Sequence, residues 1–164
     1  MQKMEKQNLN LEYEVYESID DLEAGDKALL NHAREATGLA YAPYSNFLVG
    51  AAARLVNGEL VLGSNQENAA FPAGICAERV LLSSLSSLYP ETAIESMAIS
   101  YKSEKHPGNH PIAPCGICRQ SLSEFENRVQ RPIRLILGGM NGKVFIIPGA
   151  GMLLPLAFTS NELK

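Results

Sequence analysis

Several things are scarce in this 164-residue sequence. No apolar run approaches membrane-spanning length, so nothing in it reads as a bilayer helix. Positive charge is not in excess: the formal net charge is −4, which gives neither nucleic acid nor an anionic membrane an electrostatic reason to bind. No repeat or low-complexity tract is present. There are only three cysteines, which suits a reducing compartment better than a disulfide scaffold. The polar stretch Met1 to Asn10 lacks the apolar core of a signal peptide, and the expectation is a cytoplasmic protein. What remains is ordinary globular composition, 46% hydrophobic and 20% charged, in a length that suits one domain with a sizeable core.

Residues 1–20 read as an N-terminal extension, polar and loosely docked, and residues 21–164 as a single domain. Asp20 or Asp21 can cap a helix whose apolar positions Leu22, Ala28, Leu29, Ala33 and Ala36 recur at helical spacing, with Gly38 as its stop. Ala42-Pro43-Tyr44-Ser45 is a turn. Phe47 to Val56 reads as a strand, Asn57-Gly58 as a hairpin turn, and Glu59 to Gly63 as the returning strand. A helix from about Cys76 carries Val80, Leu81, Leu82, Leu85 and Leu88 on a broad apolar face and ends at Pro90. A strand from Ile94 to Tyr101, a Pro- and Gly-rich loop, a helix from Cys115 and strands over 133–137 and 143–147 follow. Strands alternating with helices after a hairpin predict an α/β fold: a three-layer α/β/α sandwich around a mixed five-stranded sheet.

The three cysteines fall in two segments, Cys76-Ala77-Glu78-Arg79 and Pro114-Cys115-Gly116-Ile117-Cys118. We read Cys76, Cys115 and Cys118 as thiolate ligands of one zinc ion. A structural zinc is usually enclosed by four protein ligands, whereas a catalytic one keeps a position open for water. His106 or His110, in the loop before Cys115, could close that position; the other reading leaves both solvated. Three thiolates on zinc carry a net charge of about −1, which opposes deprotonation of a bound water and calls for nearby positive charge. Arg79 and Arg119 are placed to supply it, although Arg79 can equally be a surface residue. Helix N-termini at both cysteine segments would add free N–H groups. On a regular helix Cys76 and Glu78 point nearly opposite ways, so both can face one metal only if Cys76 sits at the cap.

These segments resemble the zinc-dependent cytidine deaminases of the small, homotetrameric kind, whose His/Cys-x-Glu and Pro-Cys-x-x-Cys pattern is well known. The likeness extends, in family order, through Ala42-Pro43-Tyr44-Ser45, Phe47, Val49-Gly50-Ala51, Asn65-x-Glu67-Asn68-Ala69, Gly74 to Arg79, Cys118-Arg119-Gln120 and Leu153-Leu154-Pro155, about Leu22 to Phe158 in all. It implies one zinc per subunit on Cys76, Cys115 and Cys118, Glu78 as proton shuttle, Asn65 and Glu67 on the ribose hydroxyls, and Phe47 and Ala77 in the substrate site. Phe158 would complete a neighbouring subunit's pocket. The implied reaction is hydrolytic deamination of cytidine and 2′-deoxycytidine in pyrimidine salvage, by attack of zinc-activated hydroxide on C4, in a cytoplasmic homotetramer that binds a small nucleoside. Phe47 and Phe158 have core packing as their alternative, and Asn65 and Glu67 have loop capping. The chain departs from the pattern in having Phe71 where a tyrosine is frequent, and in its longer N-terminal extension. Three other readings stay open: a blasticidin-type aminopyrimidine nucleoside deaminase, a structural zinc module with four protein ligands, and a Cys-x-x-Cys thiol redox protein without metal.

Overall fold

The structure, a computed structural model, describes residues 4–163. Its strands are β1 (Glu14–Tyr16), β2 (Phe47–Leu55), β3 (Leu60–Ser64), β4 (Ile94–Ser103), β5 (Arg134–Gly138) and β6 (Val144–Ile147). Its α-helices are α1 (Ala24–Ala36), α2 (Ala77–Leu88) and α3 (Gly116–Val129). The six strands form one sheet in the order β1-β6-β5-β4-β2-β3. β4 and β5 run parallel and every other neighbouring pair runs antiparallel, so the sheet is mixed as expected.

Two-residue alternation along the strands sorts side chains into two cores. Ala51 and Ala53 of β2, Met97 and Ile99 of β4, and Leu135 and Leu137 of β5 face α2 and α3, where Leu81, Leu85, Leu122 and Phe125 meet them. Ala52, Ala98 and Ile136 face the other way, against Leu29, Leu30 and Ala33 of α1. This is the three-layer α/β/α arrangement. The helices approach closely because two strand positions lack a side chain. A Cβ on Gly50 would lie 2.1 Å from the Ala33 carbonyl oxygen, and one on Gly63 would lie 2.4 Å from that of Ala77.

Two expectations need correction. The sheet has six strands, not five, because Glu14–Tyr16, placed in the extension by its polarity, pairs with β6 through Glu14↔Ile146 and Tyr16↔Val144. Tyr13 reinforces the join by packing on Phe145, with ring centroids 5.1 Å apart. The first helix also starts later than Asp20 or Asp21. Ser18 and Asp21 close a reciprocal capping box around a short 3-10 turn, Ile19–Asp21, after which Leu22 and Glu23 are extended and α1 begins at Ala24.

Because β3 and β4 are both antiparallel to β2, their C-terminal ends lie beside the start of β2. Everything that follows β3 and β4, together with Phe47, therefore gathers at one end of the sheet. The two cysteine segments occupy those connections.

Candidate active site

Cys76 is the N-cap of α2, with extended backbone at φ −74° and ψ 155°. That is the geometry the Cys76-x-Glu78 spacing demanded: the cap residue leaves the helix direction, and Glu78 in the first turn turns inward. Cys115 is likewise the N-cap of α3, with Cys118 one turn in. Neither cysteine side chain accepts a capping hydrogen bond. The three sulfurs lie within 4.8 Å of one another, and Cys76 Sγ is 3.7 Å from Cys115 Sγ. Two sulfurs bound at ~2.3 Å to a tetrahedral zinc stand about 3.8 Å apart, so the spacing fits that metal. Among the described residues no histidine or carboxylate joins the group. His110 is instead engaged by the Tyr101 hydroxyl, 3.1 Å from its Nδ1, and His106 lies edge-on to Phe47.

Charge around the sulfurs is uneven. The thiol of Cys76 is lowered to about 6, chiefly by its hydrogen bond with Cys118, and the Arg79 charge contributes in the same direction. Cys118 shifts upward through the same bond and through burial. Glu78 is only 5% exposed, and burial raises its pKa. It follows the Cys76 cap by two residues, and its charge pushes the pKa values of Cys76 and Cys118 upward, so the carboxyl group lies near the sulfurs. Arg79 is half-buried in a groove between α2 and α3 with Ser83, Glu124 and Arg128. Arg119 has a different task from charge balance alone. Its Nε donates to the Pro114 carbonyl at 2.8 Å and its Nη1 to the Leu153 carbonyl at 3.1 Å, which clamps the approach to Cys115.

A cleft of about 270 Å³ opens beside Cys76, lined by Asn65, Gln66, Glu67, Asn68, Phe71, Gly74 and Ile75. The segment 65–67 is extended and held on two sides, by Tyr41 and by Ile75. Asn65 and Glu67 both also brace the neighbouring chain. Asn65 Oδ1 accepts from Val49 N at 2.7 Å and its Nδ2 donates to the Phe47 carbonyl at 2.9 Å. Glu67 Oε2 accepts from the Tyr44 and Ser45 N–H groups at 2.9 and 3.3 Å. The loop-capping role is therefore present, with both backbone donors taken by Oε2 of Glu67. The Ser45 hydroxyl, then the two backbone donors, lower the Glu67 pKa.

Phe47 is half-buried and stacks on Tyr101, with centroids 5.0 Å apart and planes 16° from parallel. Ala77 is fully buried at the start of α2, against Gly63. Phe71 is exposed on the cleft rim, edge-on to Tyr44. Phe158 stands apart: it is 60% exposed and outside the cleft, and its carbonyl accepts from Gln120 Nε2 at 2.9 Å. Sequence reasoning missed the Tyr101–His110 contact and the clamping bonds of Arg119, because each joins residues distant in sequence or through the backbone.

Residues 24–131 match the model of the cytidine and deoxycytidylate deaminase zinc-binding region, which spans most of the domain and both cysteine segments. The chain belongs to this family. The deaminase is 34% identical over 136 residues to cytidine deaminase of Halalkalibacterium halodurans, covering 83% of this chain and 96% of that one. It is 33% identical to cytidine deaminase of Sporosarcina psychrophila, covering 83% and 93%. A crystal structure of cytidine deaminase from Burkholderia pseudomallei superposes with a TM-score of 0.69 at 39% identity, covering 80% of the deaminase and 97% of that chain. The deaminase is accordingly a zinc-dependent hydrolase, and its cysteine group is suited to the metal. No helix among the described residues is long and apolar enough to cross a membrane.

Proposed function

We propose that this chain adds water to cytidine and 2′-deoxycytidine and releases ammonia, giving uridine and 2′-deoxyuridine, as a step of pyrimidine salvage. The observation that carries the reading is a buried carboxyl group, Glu78, two residues from one of three cysteine sulfurs at the spacing of a tetrahedral metal site, with no fourth protein ligand among the described residues. Cys76, Cys115 and Cys118 would hold the zinc, which would supply a Lewis acid that makes a nearby water more acidic. Glu78 takes one proton from the attacking water and delivers it to N3 of the base, while the water oxygen bonds to C4 and the C4–N3 double bond becomes single. Glu78 then moves the proton of the new C4 hydroxyl to the amino group, and the C4–N bond breaks as ammonia leaves and the C4 carbonyl forms. One carboxyl serves as base and then as acid, and burial, by raising its pKa, favours holding a proton between the two tasks.

Asn65 and Glu67 orient the sugar. Glu67 does so with the oxygen not tied to Tyr44 and Ser45, and its lowered pKa keeps it an acceptor for hydroxyl groups. Phe47 lies against the pyrimidine, Ala77 packs behind the substrate site against Gly63, and Arg79 offsets the negative charge of the thiolates. Phe158, exposed and away from its own cleft, serves a neighbouring subunit's site in a homotetramer. The catalytic domain, expected over residues 21–164, also takes in β1 (Glu14–Tyr16) from the extension 1–20, since that strand belongs to its sheet. Free cysteine ligands favour a reducing, cytoplasmic setting.

The deciding experiment follows the absorbance change on deamination across a panel of cytidine, deoxycytidine, cytidine nucleotides, cytosine and blasticidin-type aminopyrimidine nucleosides, with and without a chelator. Turnover of cytidine and deoxycytidine that chelation abolishes is expected. Zinc-loaded protein inert on the whole panel would refute the reading and favour a structural zinc module. Preference for the blasticidin-type nucleosides would move the assignment to that class.

A further inference from the structure

The loop 104–114, which leads into Cys115, is fixed at two places. At its base, Asn141 N donates to the Gly108 carbonyl at 3.1 Å, and Gly139 packs so closely that a Cβ there would lie 2.1 Å from the Gly108 oxygen. Further along, exposed His110 meets the hydroxyl of Tyr101, with Nδ1 3.1 Å away and the two rings 5.7 Å apart, edge to face. Tyr101 itself is 1% exposed, on the apolar face of β4 that carries Met97 and Ile99. A buried tyrosine differs from phenylalanine only in its hydroxyl, and burying that hydroxyl is costly unless it is bonded. The bond to His110 is what makes tyrosine fit here.

The other side of Tyr101 meets Phe47. β2 and β4 pair Val49 with Tyr101 and Phe47 with Ser103, so Phe47 and Tyr101 are diagonal neighbours on one face, and their rings stack nearly parallel. One side chain thus touches both the loop and the ring assigned to the pyrimidine.

We propose that Tyr101 and His110 act as a pair of positioning residues for the deamination. His110 holds the Tyr101 ring and the loop in register, and Tyr101 holds Phe47 at the angle the pyrimidine needs. This inference rests on the reading of Phe47 as the surface against the base. Neither residue touches the reacting atoms, so the pair acts on substrate affinity and leaves the proton transfers of Glu78 alone.

The test compares Tyr101→Phe, which keeps the stacked ring and removes only the hydroxyl, with His110→Ala, the double variant and Phe47→Ala. Each protein is assayed zinc-loaded on cytidine, and amide hydrogen exchange is read over residues 104–113. Loss of one hydrogen bond is expected to raise KM about fivefold in Tyr101→Phe and in His110→Ala. kcat should stay within about twofold, because the transition-state contacts at C4 are untouched. The double variant should be no worse than either single one, since both remove the same bond, and exchange over the loop should accelerate in all three. Unchanged KM in Tyr101→Phe, or effects that simply add in the double variant, would overturn the pair. Phe47→Ala separates the failures. If it raises KM while Tyr101→Phe does not, the positioning pair alone falls. If it leaves KM unchanged, the role of Phe47 falls and the pair with it.

Discussion

In the proposed role of proton shuttle, Glu78 would have to be ionised to take a proton and neutral to return one, and its burial bears on that exchange. It sits in the first turn of α2 at 5% exposure, where desolvation raises its pKa. Replacing it with glutamine keeps the volume and removes the titration. Glu78→Gln should lower kcat by at least about a hundredfold while zinc content, measured by atomic absorption, stays at one per chain. Near-normal turnover in that loaded variant would remove the shuttle assignment. Glu67 shows the opposite perturbation. Its pKa is lowered by the Ser45 hydroxyl and by the Tyr44 and Ser45 backbone donors. A depressed folded-state pKa means that the bonds to the turn contribute fully above the ordinary carboxylate range and fade as pH falls through the lowered value. Nucleoside affinity should therefore hold through mildly acidic pH and weaken only in stronger acid. Glu67→Gln should weaken binding at all pH values with zinc retained; calorimetric titration of uridine, the product, would show both effects.

At the scale of elements, the position of Cys76 depends on how closely α2 approaches β3. Gly63 makes that approach possible, since an added Cβ would meet the Ala77 oxygen at 2.4 Å and the Leu81 nitrogen at 2.7 Å. Both are backbone atoms and cannot swing aside. Gly63→Ala should cost about 1–3 kcal/mol, the usual range for overpacking, and should weaken zinc retention against a chelator because the helix carrying Cys76 must shift. Thermal melting with a zinc-release assay checks both. Much of this was readable in advance. The apolar periodicity of α2, the Asn57-Gly58 turn with Gly58 at φ +88°, and the demand that Cys76 cap its helix are local properties of the chain. What could not be read depends on partners distant in sequence. Glu14-Val15-Tyr16 is too short and too polar to announce a strand, and it becomes one only because β6 offers an edge. Glu126 looks like a solvent-facing helix residue, yet its carboxylate accepts from Ile133, Ala150 and Gly151 N–H groups and ties α3 to the chain on either side of β6. For Asn65 and Glu67 the sequence offered two rival roles, and the geometry has each residue bracing the mouth of the cleft.

Across the whole molecule, the metal group is not the foundation of the fold. α2 and α3 share an apolar core with the sheet through Leu81, Leu85, Leu122 and Phe125, and the second core under α1 is separate from the sulfurs. Small zinc modules that lack such a core unfold without metal. Here, chelation under reducing conditions should abolish deamination while the far-ultraviolet circular dichroism stays native-like, and the melting temperature should fall by an amount that grows with the free zinc concentration used as reference. Collapse of the secondary structure on chelation would contradict this account of the core. One consequence of the sulfur spacing follows for a stripped chain. Cys76 Sγ and Cys115 Sγ, 3.7 Å apart with Cys115 facing solvent, need to close by less than about 2 Å to bond covalently once oxygen takes up their electrons and protons. Aerobic storage of the apoprotein therefore converts a reversible loss of cofactor into a lock on its own socket, one that a thiol reductant opens and added zinc alone does not.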